Sequence, residues 1–246
     1  MSSNVLGHVD VERYRAEGYA IVPSVVSSAD LPRYREASDE VLGLCSREAE
    51  RYSARIEWEA DHLADPTGME RVIRKLEPVI DLCPPFAELA KDPGVTAPVE
   101  AVLEGDVELF EDKLNLKLPG GSPYPWHQDW VCCWQAHSDD LVTCFIYLDD
   151  ADAENGCLQV VPCSHSGKPR LPFKAGGHFE VDPGHVPQER VVPVPLAAGD
   201  MILFDPYLLH YSDLNRSRSP RRCIIYTYNP ARLGKINEQR FPPDFA

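Results

Sequence analysis

The sequence lacks the features that mark several classes of protein. Its 246 residues include no run of about 18 apolar residues, so no segment is predicted to cross a membrane. The first residues show neither the basic region nor the apolar stretch of a secretion signal. Only 24 residues are basic against 39 acidic ones, which gives a formal charge of −15. With no basic footprint, neither nucleic acid nor a membrane is predicted as a partner.

The eight cysteines include no C-x-x-C pair, which argues against a zinc ribbon or a redox motif. Cys144 and Cys223 lie inside apolar runs, so the cysteines are predicted to be small buried side chains in a reducing compartment. This pattern predicts a cytoplasmic location. Hydrophobic residues make up 43% of the chain, which is ample for a core, and no repeat or linker divides it. We therefore predict a single domain over residues 1–246.

The chain changes character near its middle. Residues 1–105 are predicted to be rich in helices, with helical patterns over 9–18 and 27–61 and one or two helices within 83–103. From 106 to 230, short alternating segments are separated by turn residues, as expected for strands. Helices followed by many short strands predict a mainly β fold with flanking helices around a jelly-roll core.

One short motif carries the clearest chemical signal. His127 and Asp129 are two residues apart in a strand-like stretch, so both side chains should project from the same face. A second histidine, His210, would complete a set of two imidazoles and one carboxylate, which suits non-haem Fe(II). Arg221 follows eleven residues later and offers a planar fork for a carboxylate. The pattern predicts an Fe(II) oxygenase with a dicarboxylate co-substrate.

A less specific interpretation of the same motif is a buried histidine–aspartate hydrogen bond that orients a loop. The context favours metal ligation, because Trp126 and Trp130 flank the motif and His210 follows a glycine–aspartate turn and an apolar strand. Arg221 and Arg222 are neighbours, and strand alternation allows only one of them to face the interior. The spacing selects Arg221, so Arg222 is predicted to be solvated or paired at the surface.

Several longer motifs resemble the phytanoyl-CoA dioxygenase family of Fe(II)/2-oxoglutarate oxygenases. They are WHQDW at 126–130, ENGCLQVVPCSH at 154–165, GDMILF at 199–204, LHYSDLNRS at 209–217 and PRR at 220–222. The N-terminal stretch GYAIVPSVVSSADL also resembles the start of the family, so the likeness extends over nearly the whole chain. A departure is Cys163, which stands where relatives commonly have glycine.

The resemblance implies a double-stranded β-helix (jelly-roll, cupin-like) with iron at the mouth of the barrel. His127, Asp129 and His210 would be the catalytic metal ligands, and 2-oxoglutarate and dioxygen would be co-substrates. Arg221 would pair with the C5 carboxylate of 2-oxoglutarate, and Ser212 would hydrogen-bond the same end. Related halogenases lack the carboxylate ligand, so the presence of Asp129 favours hydroxylation or desaturation over halogenation.

The resemblance also adds residues around the co-substrate. Lys75 matches a family lysine near 2-oxoglutarate, Lys113 and Asn115 match positions that line the co-substrate, and Phe145 matches an aromatic residue that packs on it. Lys75 and Lys113 could equally be ordinary exposed strand charges. Two lysines and Arg221 exceed the needs of one C5 carboxylate, so we hypothesise that one lysine, such as Lys113, holds a substrate carboxylate or phosphonate.

Two tryptophans and a long loop are candidates for the substrate side. Trp130 and Trp134 follow the metal motif, and each is interpreted either as core packing or as a wall of the substrate pocket. The segment 165–190 is long and rich in glycine and proline, which is typical of a lid or a binding loop.

The predicted function is therefore an Fe(II)- and 2-oxoglutarate-dependent dioxygenase that hydroxylates a small-molecule metabolite and converts 2-oxoglutarate to succinate. Three alternatives stay open. One is an iron enzyme of the same fold that acts without 2-oxoglutarate, another is a catalytically inactive binding protein, and the third is an enzyme acting on an acyl-CoA. The sequence predicts neither the substrate nor the oligomeric state.

Overall fold

A computed structural model describes residues 8–131, 137–175 and 180–236 of the chain. The helices of this part are α1 (Val11–Glu17), α2 (Leu31–Arg47), α3 (Pro84–Leu89) and α4 (Pro93–Leu103). The strands are β1 (Tyr19–Val22), β2 (Ile56–Trp58), β3 (Ile73–Leu76), β4 (Val107–Lys117), β5 (Tyr124–His127), β6 (Val142–Tyr147), β7 (Leu158–Val160), β8 (Val192–Val194), β9 (Met201–Phe204), β10 (His210–Ser212) and β11 (Arg221–Pro230).

The strands form two antiparallel sheets. The larger sheet has the order β1-β9-β6-β11-β4-β3-β2, and the smaller one has the order β5-β10-β7-β8. Neighbours in each sheet are often distant in sequence, as β11 is from β4 and β10 is from β5. Two packed antiparallel sheets with such long-range pairing are a jelly roll, so the fold class predicted from the sequence is confirmed.

The two faces of the larger sheet have different neighbours. One face packs against the helices in a hydrophobic core that includes Leu114, Cys144 and Ile224. The opposite face looks into the barrel, where Phe145, Ile202 and Ile225 pack against strands of the smaller sheet. Because side chains alternate along a strand, each long strand of this sheet supplies both cores. This alternation sends a second set of side chains, polar ones on β4, into the barrel.

The helical prediction for the first third of the chain is partly wrong. The segment 27–61 does not form one helix, since α2 ends at Arg47 and residues 56–58 are strand β2, paired with β3. Helical period alone could not foresee this pairing, because the partner strand lies further along the sequence. The prediction for 83–103 is confirmed, with α3 and α4 separated just before Pro93, where Asp92 caps α4 by accepting a hydrogen bond from Gly94.

The loop 165–190 is described except for residues 176–179. A bridge between Phe173 and Val181 joins two parts of the loop, and Val181 and Val186 pack beside Trp126 of β5. Its role as a lid stays a prediction. None of the helices in the described ranges combines the length and apolarity that crossing a bilayer requires.

Candidate metal and co-substrate site

The metal-ligand candidates come together at the mouth of the barrel. His127 ends β5, His210 begins β10, and the two are cross-strand partners with ring centroids 4.0 Å apart. Asp129 follows β5, and its Oδ1 lies 3.6 Å from His127 Nε2 and 3.7 Å from His210 Nε2. One ligand atom from each residue fits within a span of 4.8 Å. This is the geometry that a single metal ion requires.

Hydrogen bonds behind each ligand fix which atom faces the ion. His127 Nδ1 lies 2.7 Å from the carbonyl of Pro125, and His210 Nδ1 lies 2.9 Å from the carbonyl of Leu208. A carbonyl can only accept, so both Nδ1 atoms carry the proton and both Nε2 atoms keep a free lone pair. Asp129 Oδ2 accepts a hydrogen bond of 3.0 Å from the hydroxyl of Thr143, which leaves Oδ1 for the ion.

The electrostatics of the cluster favour the ligand protonation states. Burial, together with the neighbouring imidazole of His210, lowers the pKa of His127 to about 3, so this imidazole is neutral at physiological pH. Burial raises the pKa of Asp129, but the two imidazoles and Lys113 outweigh it, and the net pKa lies below the ordinary value. Asp129 is thus an anion, as a metal ligand must be.

A cavity of about 440 Å³ extends from these three residues into the barrel. Strand β4 supplies a polar ladder to it, because residues two apart share a face. In register with β11, Lys113 lies beside Ile225, Asn115 beside Cys223 and Lys117 beside Arg221. The cavity therefore has an inner end at Arg221, with Lys117 behind its lining, and an outer end near Lys75 and Lys113.

The chain matches a family model over most of its length. The family model described as "Phytanoyl-CoA dioxygenase (PhyH)" matches residues 14–223, which include the three metal-ligand candidates and Arg221.

The chain belongs to the phytanoyl-CoA dioxygenase family.

Individual relatives are distant but extend over most of the chain. A methylphosphonate hydroxylase of Gimesia maris is 26% identical over 94% of this chain and 84% of its own length. An L-proline trans-4-hydroxylase of Streptomyces griseoviridis is 28% identical over 88% of this chain and 84% of its own length. The crystal structure of EvdO2 from Micromonospora carbonacea var. aurantiaca complexed with 2-oxoglutarate superposes with a TM-score of 0.70 at 23% identity, covering 92% of this chain and 93% of that one.

Family membership makes this protein an iron- and 2-oxoglutarate-dependent dioxygenase, as the sequence predicts. Two observations show that its residues fit these groups. Two imidazoles and one carboxylate converge on a point, which is the ligand set of non-haem Fe(II) oxygenases. At the inner end, the fully buried guanidinium of Arg221 has no hydrogen-bond partner for Nε or Nη1 among the described residues, and a carboxylate of the co-substrate would supply one.

The two neighbouring arginines separate as predicted. Arg221 is 2% exposed and its guanidinium lies 5.7 Å from the centre of the Tyr147 ring, inside the barrel. Arg222 points to the other face of the sheet, where it pairs with Asp149 at 2.9 Å and with Asp39 at 2.7 Å. Strand alternation alone accounts for this difference.

Ser212, Asn115 and Phe145 all line the cavity. Ser212 is buried on β10 opposite Tyr124. The Oδ1 atom of Asn115 is buried without a hydrogen-bond partner among the described residues, so a ligand or water in the cavity would satisfy it. Phe145 meets Phe204 edge-on, with ring centroids 5.2 Å apart, and forms part of the apolar wall. Their contacts with the co-substrate stay predictions.

The two outer lysines also line the cavity, but both are ion-paired. Lys75 lies 2.8 Å from Glu57 and 2.9 Å from Glu77. Lys113 pairs with the buried carboxylate of Glu111. Burial lowers the pKa of each lysine, yet the adjacent carboxylates outweigh burial and hold both pKa values above the ordinary value. Alternation along β4 could have indicated the pair of Glu111 and Lys113, which are two residues apart, whereas Glu57 meets Lys75 only through the pairing of β2 with β3.

The tryptophans predicted as substrate residues have different outcomes. Trp130 is 3% exposed, stacks on Tyr207 at 4.9 Å and belongs to a cluster with Phe110 and Leu141. It is absent from the cavity lining, so the core-packing alternative accounts for it better than a substrate wall. Trp134 lies outside the described residues, and its role stays a prediction.

Sequence reasoning missed several residues that shape the site. Gln128 is fully buried between two ligands; its amide donates to the carbonyls of Tyr207 and Pro169, and its Oε1 accepts from the backbone of Leu171. The bonds to Pro169 and Leu171 connect the end of β5 to the loop 165–190. The alternation of the strand indicated that Gln128 points away from the ion, but only the fold shows which backbone groups it meets.

Lys117, Tyr124 and Arg74 were also missed, and they surround the inner end. The centre of the Tyr124 ring lies 3.7 Å from the Arg74 guanidinium and 5.2 Å from Lys117 Nζ. Burial raises the pKa of Tyr124 to about 12, and its buried hydroxyl has no hydrogen-bond partner among the described residues. Arg74 itself is paired with Glu57 and Glu59. Period-two alternation along β4 could have pointed to Lys117, which continues the series that begins with Lys113 and Asn115.

Proposed function

We propose that the protein hydroxylates a small polar metabolite and that the cavity residues divide the work as follows. His127 and His210, through Nε2, and Asp129, through Oδ1, hold Fe(II). Arg221 and Ser212 hold the C5 carboxylate of 2-oxoglutarate at the inner end. Bound iron would supply the dioxygen chemistry that couples decarboxylation of 2-oxoglutarate to oxidation of the substrate.

The observation that carries this assignment is the orientation of the three ligands. Each has its second polar atom satisfied by the protein, which frees Nε2, Nε2 and Oδ1 to face a common point. A merely structural histidine–aspartate bond would use these atoms on one another, but here both Nε2–Oδ1 distances exceed hydrogen-bond length. The interpretation of the motif as a histidine–aspartate hydrogen bond without a metal therefore receives no support from the geometry.

The size and charge of the cavity support a small substrate. A volume of about 440 Å³ must hold both the co-substrate and the reacting part of the substrate. Lys75 and Lys113 already have carboxylate partners, so the outer end offers little attraction to a polyanion such as an acyl-CoA. The relatives named as acting on methylphosphonate and L-proline are consistent with a substrate of that size.

Two further predictions accompany this function. Lys113 stays the candidate for holding a substrate carboxylate or phosphonate, since it is the outer lysine whose ammonium lies near Asp129. Its pairing with Glu111 means that an anionic substrate group would have to share the ammonium. The cytoplasmic location also stays a prediction, as does the absence of a nucleic-acid partner.

The test is a screen of amino acids, phosphonates and other small metabolites with Fe(II), ascorbate and 2-oxoglutarate, reading succinate above the uncoupled background and product by mass spectrometry. We expect one class of compound to raise succinate stoichiometrically with a product 16 mass units heavier. Metal titration of the wild type and of Asp129→Ala, followed by calorimetry, checks the site independently. Equal Fe(II) affinity in the two proteins would remove the proposed metal site.

A further inference from the structure

Lys117 is a buried lysine that the proposed chemistry does not use. It is 1% exposed and is the cross-strand partner of Arg221, so the two side chains share one face of the sheet. Its ammonium donates to the backbone carbonyls of Ser212, at 3.2 Å, and of Asp213. No described carboxylate lies within ion-pair distance of it.

The space for this lysine is built into the fold. Gly156, with φ +77°, lies against Lys117, and a Cβ there would come within 3.1 Å of the lysine Cδ and would collide with the carbonyl of Asp213. Gly121 approaches the same side chain from another side, and a Cβ there would lie 3.4 Å from Cγ. Two glycines and an aromatic ring thus enclose an ammonium whose nearest charged neighbour on the sheet is another cation.

The charged and titratable groups around Lys117 come from every adjoining element. Arg221 and Cys223 face it from β11, Arg74 from β3, Tyr124 from β5, Glu59 from the turn at 59–62, and Asp213 from the segment after β10. Burial, followed by the repulsion of Arg221 and Arg74, lowers the pKa of Lys117 to about 6, and Glu59 and Asp213 oppose this only in part. In the absence of a bound anion, Lys117 is thus largely neutral at pH 7.

We propose that Lys117 is the second cation of the co-substrate site, a positioning residue that takes up a proton from solvent when the 2-oxoglutarate dianion binds beside Arg221. The proton balances the second negative charge of the co-substrate, and the ammonium tightens its bonds to the carbonyls of Ser212 and Asp213. Lys117 does not line the cavity, so it acts through the field it sets and through the Ser212 segment. This inference rests on the proposed function.

Binding of a dianion next to Lys117 favours its charged form, so affinity must be linked to pH. The sign follows from the direction of the shift: the free site has the lower pKa and the occupied site has the higher one. The affinity for 2-oxoglutarate is therefore greatest below pH 6 and falls as pH rises above it. We expect a loss of about tenfold per pH unit between pH 6.5 and 7.5, the limit for one proton.

The experiment is calorimetric titration of 2-oxoglutarate into the full-length protein loaded with Mn(II), in buffers of different ionisation enthalpy. For the wild type we expect uptake of nearly one proton at pH 7. Lys117→Met should bind more weakly, take up no proton and show a flat pH profile. Lys117→Arg keeps the charge at every pH and should bind 2-oxoglutarate tightly with an equally flat profile.

Lys174→Met is the control, because Lys174 pairs with Glu180 at the surface and does not line the cavity. It should retain the proton uptake of the wild type. Wild-type binding without proton uptake would overturn the inference even if no Lys117 variant folds, and so would proton uptake that persists in Lys117→Met. Failure of the Mn(II)-loaded wild type to bind 2-oxoglutarate at any pH would instead overturn the proposed function.

Discussion

The two ends of the cavity differ in whether their basic side chains have carboxylate partners. At the inner end, Arg221 and Lys117 are 2% and 1% exposed, and neither has a carboxylate partner among the described residues. At the outer end, the side chains of Lys75 and Lys113 are 24% and 17% exposed, and each is paired with glutamate.

The difference assigns a different selectivity to each end. The buried guanidinium of Arg221 is costly without an anion, so the inner end is complementary to a carboxylate. The outer end is already neutralised by its own glutamates and imposes no strong net charge on what enters. One end is therefore suited to an invariant co-substrate and the other to a substrate chosen by shape and hydrogen bonds.

The largest effect should come from Arg221→Met. Loss of two charge-assisted hydrogen bonds should weaken 2-oxoglutarate binding by about 3–4 kcal/mol, or several hundredfold, measured by titration of the Mn(II)-loaded protein. Arg222→Met is the control on the adjacent position, since its guanidinium pairs with Asp149 and Asp39 on the opposite face. Similar losses in both variants would mean that the inner end does not select the dianion.

The packing of the inner end is tested by Gly156→Ala. We expect the free energy of unfolding to fall by about 3–4 kcal/mol, because the new Cβ would meet the Asp213 carbonyl at a positive φ. Gly167→Ala is matched, with φ +76° and no atom within 4 Å of the added Cβ, so it should cost only about 1 kcal/mol. Equal costs in urea unfolding would show that Gly156 serves backbone conformation alone.

Thr143→Val removes the hydroxyl that holds Asp129 while keeping the side-chain shape. Its loss should weaken Fe(II) binding by about 10–100-fold, because the ligand carboxylate becomes free to rotate. Thr227→Val is the control: Thr227 is the cross-strand partner of Thr143, equally buried, and its hydroxyl has no hydrogen-bond partner among the described residues. An unchanged metal affinity in Thr143→Val would remove the positioning role.

The smallest effect on the co-substrate is expected at the outer end. Lys113→Met should change 2-oxoglutarate affinity by less than about threefold, because the lost charge was already neutralised by Glu111. The substrate Michaelis constant should rise if Lys113 holds a substrate anion. The double variant Lys113→Met/Glu111→Gln is the control, because it shows whether the rise comes from the Glu111 carboxylate that Lys113→Met leaves unpaired. A loss as large as that in Arg221→Met would erase the distinction between the two ends, and an unchanged Michaelis constant would remove Lys113 from substrate binding.

Part of the site could be predicted from local periodicity. Residues two apart on a strand share a face, so His127 with Asp129, and Arg221 rather than Arg222, follow from alternation. Alternation did not settle the role of Trp130, because an aromatic residue just after a strand packs equally well in a core or in a pocket wall. The helical pattern over 27–61 was misleading beyond Arg47, since β2 exists only through its pairing with β3.

By itself, the sequence determined the fold class, and it predicted the metal-ligand candidates and Arg221 as the anchor for a dicarboxylate, because these predictions depend on residue type and on spacing along the chain. Only the tertiary structure decided which charges are neutralised. Glu57 meets Lys75, and Lys117 meets Arg221 instead of an acid, through strand register and barrel closure. Electrostatic energy depends on distances across the sheet, which no period along a single chain segment contains.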